Sequence, residues 1–109
     1  MSSNNQFSMV ITTCPTTESA KLIAQSLVND KLAACVQIMA PMTSFYHWQD
    51  QICQDSEIAL HIKCCTQDYQ AIEQRICELH PYDVPQIIAL SITDGLPRYL
   101  DWIKQTCQR

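Results

Sequence analysis

One segment carries the strongest structural signal in this chain: His80-Pro81-Tyr82-Asp83-Val84-Pro85-Gln86-Ile87-Ile88-Ala89-Leu90. Proline fixes its own φ and pushes the residue before it toward extended geometry. Two prolines bracket Tyr82, and an apolar run of strand character follows at once. The segment therefore predicts a stiff connector that ends a helix, holds an imidazole and a phenol in place, and begins a strand.

On either side of this connector, the spacing of apolar residues predicts the other helices and strands. The predicted elements are a strand over 7–13, a helix from Thr16 or Thr17 to about Lys31, a strand over 33–48 interrupted at Pro41, a strand over 52–65, a helix that Thr66 can cap and that stops before Pro81, a strand over 86–93, and a helix that begins near Pro97. This order, β-α-β-β-α-β with a terminal helix, is typical of an α+β, ferredoxin-like split βαβ fold.

The central hairpin is long for such a fold. Its predicted arms have about 14 to 16 residues each, whereas strands of ~5–6 residues are usual. An arm of that length overhangs a four-stranded sheet and leaves N–H and C=O groups unpaired, and proteins seldom leave such an edge open. A neighbouring subunit can cover the edge, and a closed ring is the usual form. The hairpin length therefore favours a cyclic oligomer.

The composition indicates one domain whose surface is partly covered by other subunits. We expect a polar N-terminal tail over 1–6 and a single domain over 7–109. Hydrophobic residues make up 47% of the chain and charged residues only 17%, whereas about 25% charged is usual. The net charge of −4, without clustered Lys and Arg, argues against a nucleic-acid partner.

Three features predict a cytoplasmic protein. No stretch reaches the ~20 apolar residues of a membrane helix, so we expect no membrane contact. The polar start of the sequence does not resemble a signal peptide. The seven cysteines are odd in number and form no CxxC pair, which favours reduced thiols over a disulfide framework.

Several independent motifs occur in one order, and together they resemble the CutA family of divalent-cation tolerance proteins. Besides the connector, the motifs are Lys31-Leu32-Ala33-Ala34-Cys35, Ser44-Phe45-Tyr46-His47-Trp48, Glu57-Ile58 with Ile62-Lys63, and Tyr99-Leu100-Asp101-Trp102. The resemblance extends from about Val10 to Trp102. It implies a compact homotrimer whose hairpins are locked around a threefold axis. It also implies a non-enzymatic role in tolerance of divalent cations such as copper.

The resemblance implies a copper site of which this chain has only some of the ligands. In some bacterial members, copper binding is attributed to a Cys at the end of the first strand and to a His-His pair before Pro-Tyr. The corresponding residues here are Thr12, Leu79 and His80, so one of three ligands is present. Cys14 or Cys35 could supply a displaced thiol. We therefore expect His80, Cys14 and Cys35 to bind copper or another divalent cation weakly, with no cofactor required.

The alternative for His80 is structural, because an imidazole at a helix terminus can bond the free carbonyls there. Catalysis lacks its usual parts in this sequence. A single glycine cannot build a phosphate-binding loop, and the carboxylates are too dispersed to be paired as acid and base. We therefore predict that the protein is not an enzyme.

Amphipathic aromatics and one lysine form a separate candidate site, since such residues line many small-ligand pockets. They are Tyr46, Trp48, Lys63, Tyr82, Tyr99 and Trp102. At subunit boundaries they could form a cleft for a small anion, as in the PII signalling proteins, which CutA trimers resemble. They could equally pack between subunits, where Tyr and Trp are enriched. A third possibility is a trimeric scaffold for partner proteins.

Overall fold

The elements of the chain follow the predicted order in a computed structural model that describes residues 5–109. They are β1 (Phe7–Cys14), α1 (Thr17–Asn29), β2 (Cys35–Ile38), β3 (Met42–Trp48), β4 (Gln51–Cys65), a 3-10 turn (Thr66–Asp68), α2 (Tyr69–Leu79), β5 (Ile87–Ser91) and α3 (Pro97–Thr106). Four residues of the predicted tail over 1–6 lie outside the described residues. The other two contact the domain, because Asn5 accepts a hydrogen bond from Ser91 Oγ and the Gln6 carbonyl accepts one from the Thr66 amide.

One antiparallel sheet has the strand order β2-β4-β1-β5, with β3 continuing beside the far half of β4. β1 is the first strand in sequence but lies inside the sheet, between β4 and β5: Val10 faces Ile62 on β4 and Ala89 on β5. This order is that of the split βαβ fold, so the predicted α+β, ferredoxin-like architecture is confirmed.

The first hairpin arm is two strands rather than the single interrupted strand predicted over 33–48. β2 ends at Ile38 and β3 begins at Met42, with Pro41 in the gap. Proline has no N–H to give to the ladder, which explains the break at this position. The two arms join at Gln49 and Asp50, whose φ values of 52° and 63° are both positive. Two central residues of positive φ are typical of the type I′ hairpin turn.

Two helices and one face of the sheet enclose the main core. The alternate residues Val10, Leu60 and Ile62 point toward α1 and α2 and are fully buried, as strand periodicity requires. α1 begins at a cap in which Thr16 Oγ1 accepts the Ser19 amide at 3.1 Å. The spacing of its apolar residues then buries Ile23 against the sheet.

α3 covers only one end of the opposite sheet face. It contributes Ile103 and Cys107 to a second cluster with Phe7, Ala34 and Cys65. Pro97 is in the first turn of α3, where its missing N–H costs no hydrogen bond. The rest of this sheet face has no helix over it in the described part of the chain.

The thiol of Cys64 lies in the main core and is fully buried. Burial raises its pKa from 9.0 to about 12, with smaller contributions from neighbouring ionisable groups. The unfolded thiol ionises above about pH 9, whereas the folded one keeps its proton. The stabilising effect of this difference is therefore complete at neutral pH and is lost as the pH rises through the window between 9.0 and about 12.

We expect Cys64→Val to flatten the alkaline decline in stability. Above pH 9 the wild type should lose up to about 1.4 kcal/mol per pH unit more than the variant. Urea unfolding at a series of pH values from 8 to 10.5, at one protein concentration, measures the difference. Cys77→Val is the control, since Cys77 is exposed. Equal slopes for Cys64→Val and wild type would contradict the expectation.

Candidate functional site

The connector holds the imidazole of His80 between two backbone groups. α2 ends at Leu79, and His80 adopts φ −75° and ψ 138°, as expected before proline. Its side chain is 8% exposed. The Nε2 atom lies 2.7 Å from the carbonyl oxygen of Thr13, and Nδ1 accepts the amide of Tyr82 at 3.1 Å.

These two partners assign the proton on the ring. A carbonyl only accepts and an amide N–H only donates, so Nε2 carries the hydrogen and Nδ1 the free electron pair. Both nitrogens of neutral His80 are therefore occupied. A metal ion could bind either nitrogen only by breaking one of these hydrogen bonds, of which that to Thr13 is buried and that from Tyr82 is partly buried. The imidazole does bond a carbonyl, but that carbonyl belongs to β1 rather than to the end of its own helix.

The structure does not bring His80, Cys14 and Cys35 together within one subunit. Cys14 lies opposite Ile58 and Cys35 lies opposite Lys63. Those two positions on β4 are five residues apart, or about 17 Å along the strand. Cys14 follows the Thr13 carbonyl that His80 bonds. Its thiol is buried, and burial is the main reason that its pKa is raised. A metal role for the three residues stays a prediction.

Thr12 occupies the position where the resemblance places a copper-binding thiol. Its side chain is fully buried, and its Oγ1 has no hydrogen-bond partner among the described residues. It faces the helix side of the sheet, opposite Leu60. A thiol in this position would lie in the core rather than in an open cleft of the same chain.

The six predicted cleft residues divide into two groups and one isolated side chain. The first group is Tyr46 and Tyr82. The Tyr46 hydroxyl donates to Asp55 Oδ2, and this hydrogen bond is the main reason that the pKa of Tyr46 rises to about 12. The Tyr82 ring packs on His80, with centroids 5.0 Å apart. Burial, then Glu57 and Asp55, raise the pKa of Tyr82.

This first group is therefore acidic. Asp55 and Glu57 were not predicted as site residues, although they alternate on one face of β4 and could have been found by that spacing. Glu57 accepts a hydrogen bond from Thr13 Oγ1 at 3.2 Å. Thr13, the carbonyl partner of His80, thus connects the imidazole to the carboxylate. We call Tyr46, Asp55, Glu57 and Tyr82 the acidic group.

The second group is Lys63, Tyr99 and Trp102. The rings of Tyr99 and Trp102 stack on α3 with centroids 5.6 Å apart, and Lys63 Nζ donates to Gln37 Oε1 at 2.7 Å. Lys63 is eight residues from Asp55 along β4, about 26 Å, so the two groups are separate within a subunit. Trp48 belongs to neither group and is 58% exposed at the hairpin end.

One further cluster of ligand atoms was not predicted. Cys65, Asp68 and Cys107 form the single group of three or more potential metal ligands within residues 5–109. Sequence spacing could not reveal it, because 42 positions separate the two cysteines. Only the return of α3 to the end of β4 brings them together.

Comparison with known proteins identifies the family to which this chain belongs. The model of the CutA1 divalent ion tolerance protein family matches residues 8–106. This chain therefore belongs to the CutA1 family. The divalent-cation tolerance protein CutA of Thermus thermophilus is 42% identical over 97 residues, which are 89% of this chain and 94% of that protein. The CutA1 structure from the psychrotrophic bacterium Shewanella sp. SIB1 is 46% identical, with a TM-score of 0.92 over 95% of this chain and 97% of that chain.

The relatives correct the predicted location. The similar structure from Archaeoglobus fulgidus is that of a periplasmic divalent cation tolerance protein CutA. The relative from Arabidopsis thaliana is named chloroplastic, and this chain spans 54% of its length. The prediction of a cytoplasmic protein is therefore wrong as an inference, because members of this family are named for other compartments. Separately, none of the helices within residues 5–109 has the length and apolar character of a membrane span.

We expect His80→Ala to destabilise the fold by about 2–4 kcal/mol. The substitution leaves the Thr13 carbonyl and the Tyr82 amide without partners, and each unsatisfied buried group costs about 1–3 kcal/mol. Copper affinity should change by less than about tenfold, or 1.4 kcal/mol, because the ring nitrogens are already occupied. Urea unfolding and competition with a copper chelator measure the two effects.

His47→Ala is the control for both measurements, since His47 is exposed on β3 and should change stability by about 0.5 kcal/mol or less. A submicromolar site of one copper ion per subunit that His80→Ala abolishes would contradict this reading. In that case His80 would have to release one backbone partner when the ion binds.

Proposed function

We propose that this chain forms a homotrimer that acts, without catalysis, in the tolerance of divalent cations, copper among them. The observation that carries the proposal is the uncovered length of β4. β4 pairs with β1 only from Ile58 to Cys65. Within residues 5–109, the segment 51–57 pairs with β3 alone, so the described part of the chain leaves one edge of that half open. An open edge of seven residues favours pairing with another subunit.

Exposed apolar side chains accompany this edge. Phe45, Trp48 and Ile52 near the hairpin turn are 69%, 58% and 71% exposed. On the sheet face that α3 leaves uncovered, Ile88 and Leu90 are 46% and 47% exposed. Exposed large apolar side chains in this number are typical of protein interfaces. The low charge fraction of the sequence supports the same interpretation.

We expect the purified protein to have three times the single-chain mass of 12.5 kDa in light scattering after size exclusion. Leu90→Arg should shift it toward smaller species, because a charge buried between subunits without a partner is strongly destabilising. Leu22→Arg is a matched control: Leu22 is 52% exposed on α1, outside the proposed interface. A wild-type mass of 12.5 kDa would contradict the trimer, and equal behaviour of the two variants would contradict this interface.

The acidic group supports a cation rather than an anion as its ligand. The group consists of two carboxylates, Asp55 and Glu57, and two phenols. Oxygen donors of this type suit hard divalent cations. The carboxylates would repel a phosphate or nucleotide. Copper, which prefers nitrogen and sulfur ligands, should bind more weakly there than at an ordered site with thiol and imidazole ligands.

The Lys63 group is the alternative, since a lysine and amphipathic aromatic rings line many pockets for small anions. A thermal-shift titration with Mn²⁺ and, in parallel, with inorganic phosphate separates the two. A ligand at 100 times its dissociation constant stabilises the folded state by about 2.7 kcal/mol. We expect a concentration-dependent rise in Tm with Mn²⁺ that Glu57→Gln reduces.

Glu18→Gln is the control for this titration, because Glu18 is exposed in the first turn of α1. A rise with phosphate that Lys63→Gln removes, without any rise with Mn²⁺, would favour the anion-binding alternative. A rise with Mn²⁺ that is identical in the two Glu variants would contradict the assignment to the acidic group.

A further inference from the structure

Two thiols and a carboxylate meet at the end of the sheet that α3 covers. The sulfurs of Cys65 and Cys107 and a carboxylate oxygen of Asp68 all lie within 4.8 Å of one another. The three residues come from three elements: the last position of β4, the 3-10 turn and the end of α3. All three are buried: Cys65 is 8% exposed, Asp68 5% and Cys107 6%. Ligand atoms at these mutual distances could bind one ion after small side-chain movements.

The carboxylate of Asp68 supplies an independent indication of a ligand. Its Oδ1 accepts a hydrogen bond from an Arg109 Nη2 at 2.7 Å. Its Oδ2 is buried and has no hydrogen-bond partner among the described residues. A buried polar atom without a partner is destabilising, and such atoms are rare in native proteins. A bound cation would provide the missing partner.

The charges of the surrounding side chains suit a divalent ion. Two thiolates and one carboxylate sum to −3, and a divalent cation reduces this to −1. The guanidinium of Arg109, held on Asp68 Oδ1, balances the remaining charge. Each thiol must lose its proton when it binds, so two protons pass to solvent for each ion.

The ligand types and the access route narrow the class of cation. Thiolates with one carboxylate suit zinc and the cations that resemble it, bound in tetrahedral geometry. An open pocket borders the two cysteines and Arg109, and its other lining residues are Gln67, Lys104 and Gln108. Solvent in that pocket could supply a fourth ligand, and the pocket provides an entry path.

We propose that Cys65, Asp68 and Cys107 bind one Zn²⁺ or similar thiophilic divalent cation per chain. The site requires neither the trimer nor the acidic group, because all its ligands come from one chain and none belongs to that group. It also differs from the copper positions implied by the family resemblance, since it contains neither His80 nor Cys14. Its ion would connect the end of α3 to the sheet beside the apolar cluster of Phe7, Ala34 and Ile103.

The test is a titration of the full-length, reduced and metal-free protein with Co²⁺, which reports thiolate ligation by a sulfur-to-cobalt charge-transfer band. We expect one Co²⁺ per chain, tetrahedral visible bands, and displacement by Zn²⁺. Cys107→Ser should weaken Zn²⁺ binding by at least about 100-fold. Replacing residues that only hydrogen-bond to metal ligands already weakens binding by up to about 100-fold, and Cys107 is itself a proposed ligand. Cys77→Ser, which removes an exposed thiol outside the cluster, should leave both signals unchanged.

Asp68→Asn is the second variant, in case Cys107→Ser does not fold. It keeps an acceptor for Arg109 but removes the carboxylate charge. Zn²⁺ affinity should fall by roughly tenfold or more, while the charge-transfer band persists at saturating Co²⁺. The proposal is overturned if the wild type shows no charge-transfer band, or if the band survives Cys107→Ser and is lost in Cys77→Ser. An unchanged Zn²⁺ affinity in Asp68→Asn would overturn the role of the carboxylate and with it the three-ligand site.

Discussion

The backbone hydrogen bonds of β4 are the constraint on which the rest of the structure depends. This 15-residue strand pairs with β1 and β2 along its second half and with β3 along its first half. Its side chains point alternately to the two faces of the sheet, and Leu60 and Ile62 pack in the core under α1 and α2. Its two ends carry different chemistry, since Asp55 and Glu57 lie toward the hairpin and Cys65 lies at the other end. A change of register by one residue would exchange the buried and exposed sets.

The connector after α2 shows how a residue that is suited to metal binding is used for structure instead. The two bonds of the His80 ring tie the end of β1 to the chain that leaves α2. They also position Tyr82 against the ring and near Glu57. Both ring nitrogens of His80 thus have a structural use in this chain.

The subunit has two candidate ligand-binding groups of opposite charge. Carboxylates accompany Tyr46 and Tyr82, whereas Lys63 accompanies Tyr99 and Trp102. The spacing along β4 keeps the two groups apart in one chain. The cluster of Cys65, Asp68 and Cys107 differs from both, because it is buried within one chain and Arg109 already compensates part of its charge.

Local sequence determined the element order, the Thr16 cap of α1 and the break at Pro41, because these depend on side-chain periodicity and on the φ preferences of neighbouring residues. The prediction that Thr66 caps α2 is wrong, because Thr66 begins a 3-10 turn and Asp68 precedes the helix. The resemblance of several motifs then identified the family, which the comparisons confirmed. The sequence alone did not determine which chemical groups meet. Only the sheet register separated Cys14 from Cys35, and only the packing of α3 placed Cys107 beside Cys65 and Asp68. The pairing of His80 with the Thr13 carbonyl likewise joins residues 67 positions apart. Such contacts depend on how whole elements pack, and no local pattern encodes the distance between two side chains that are far apart in the chain.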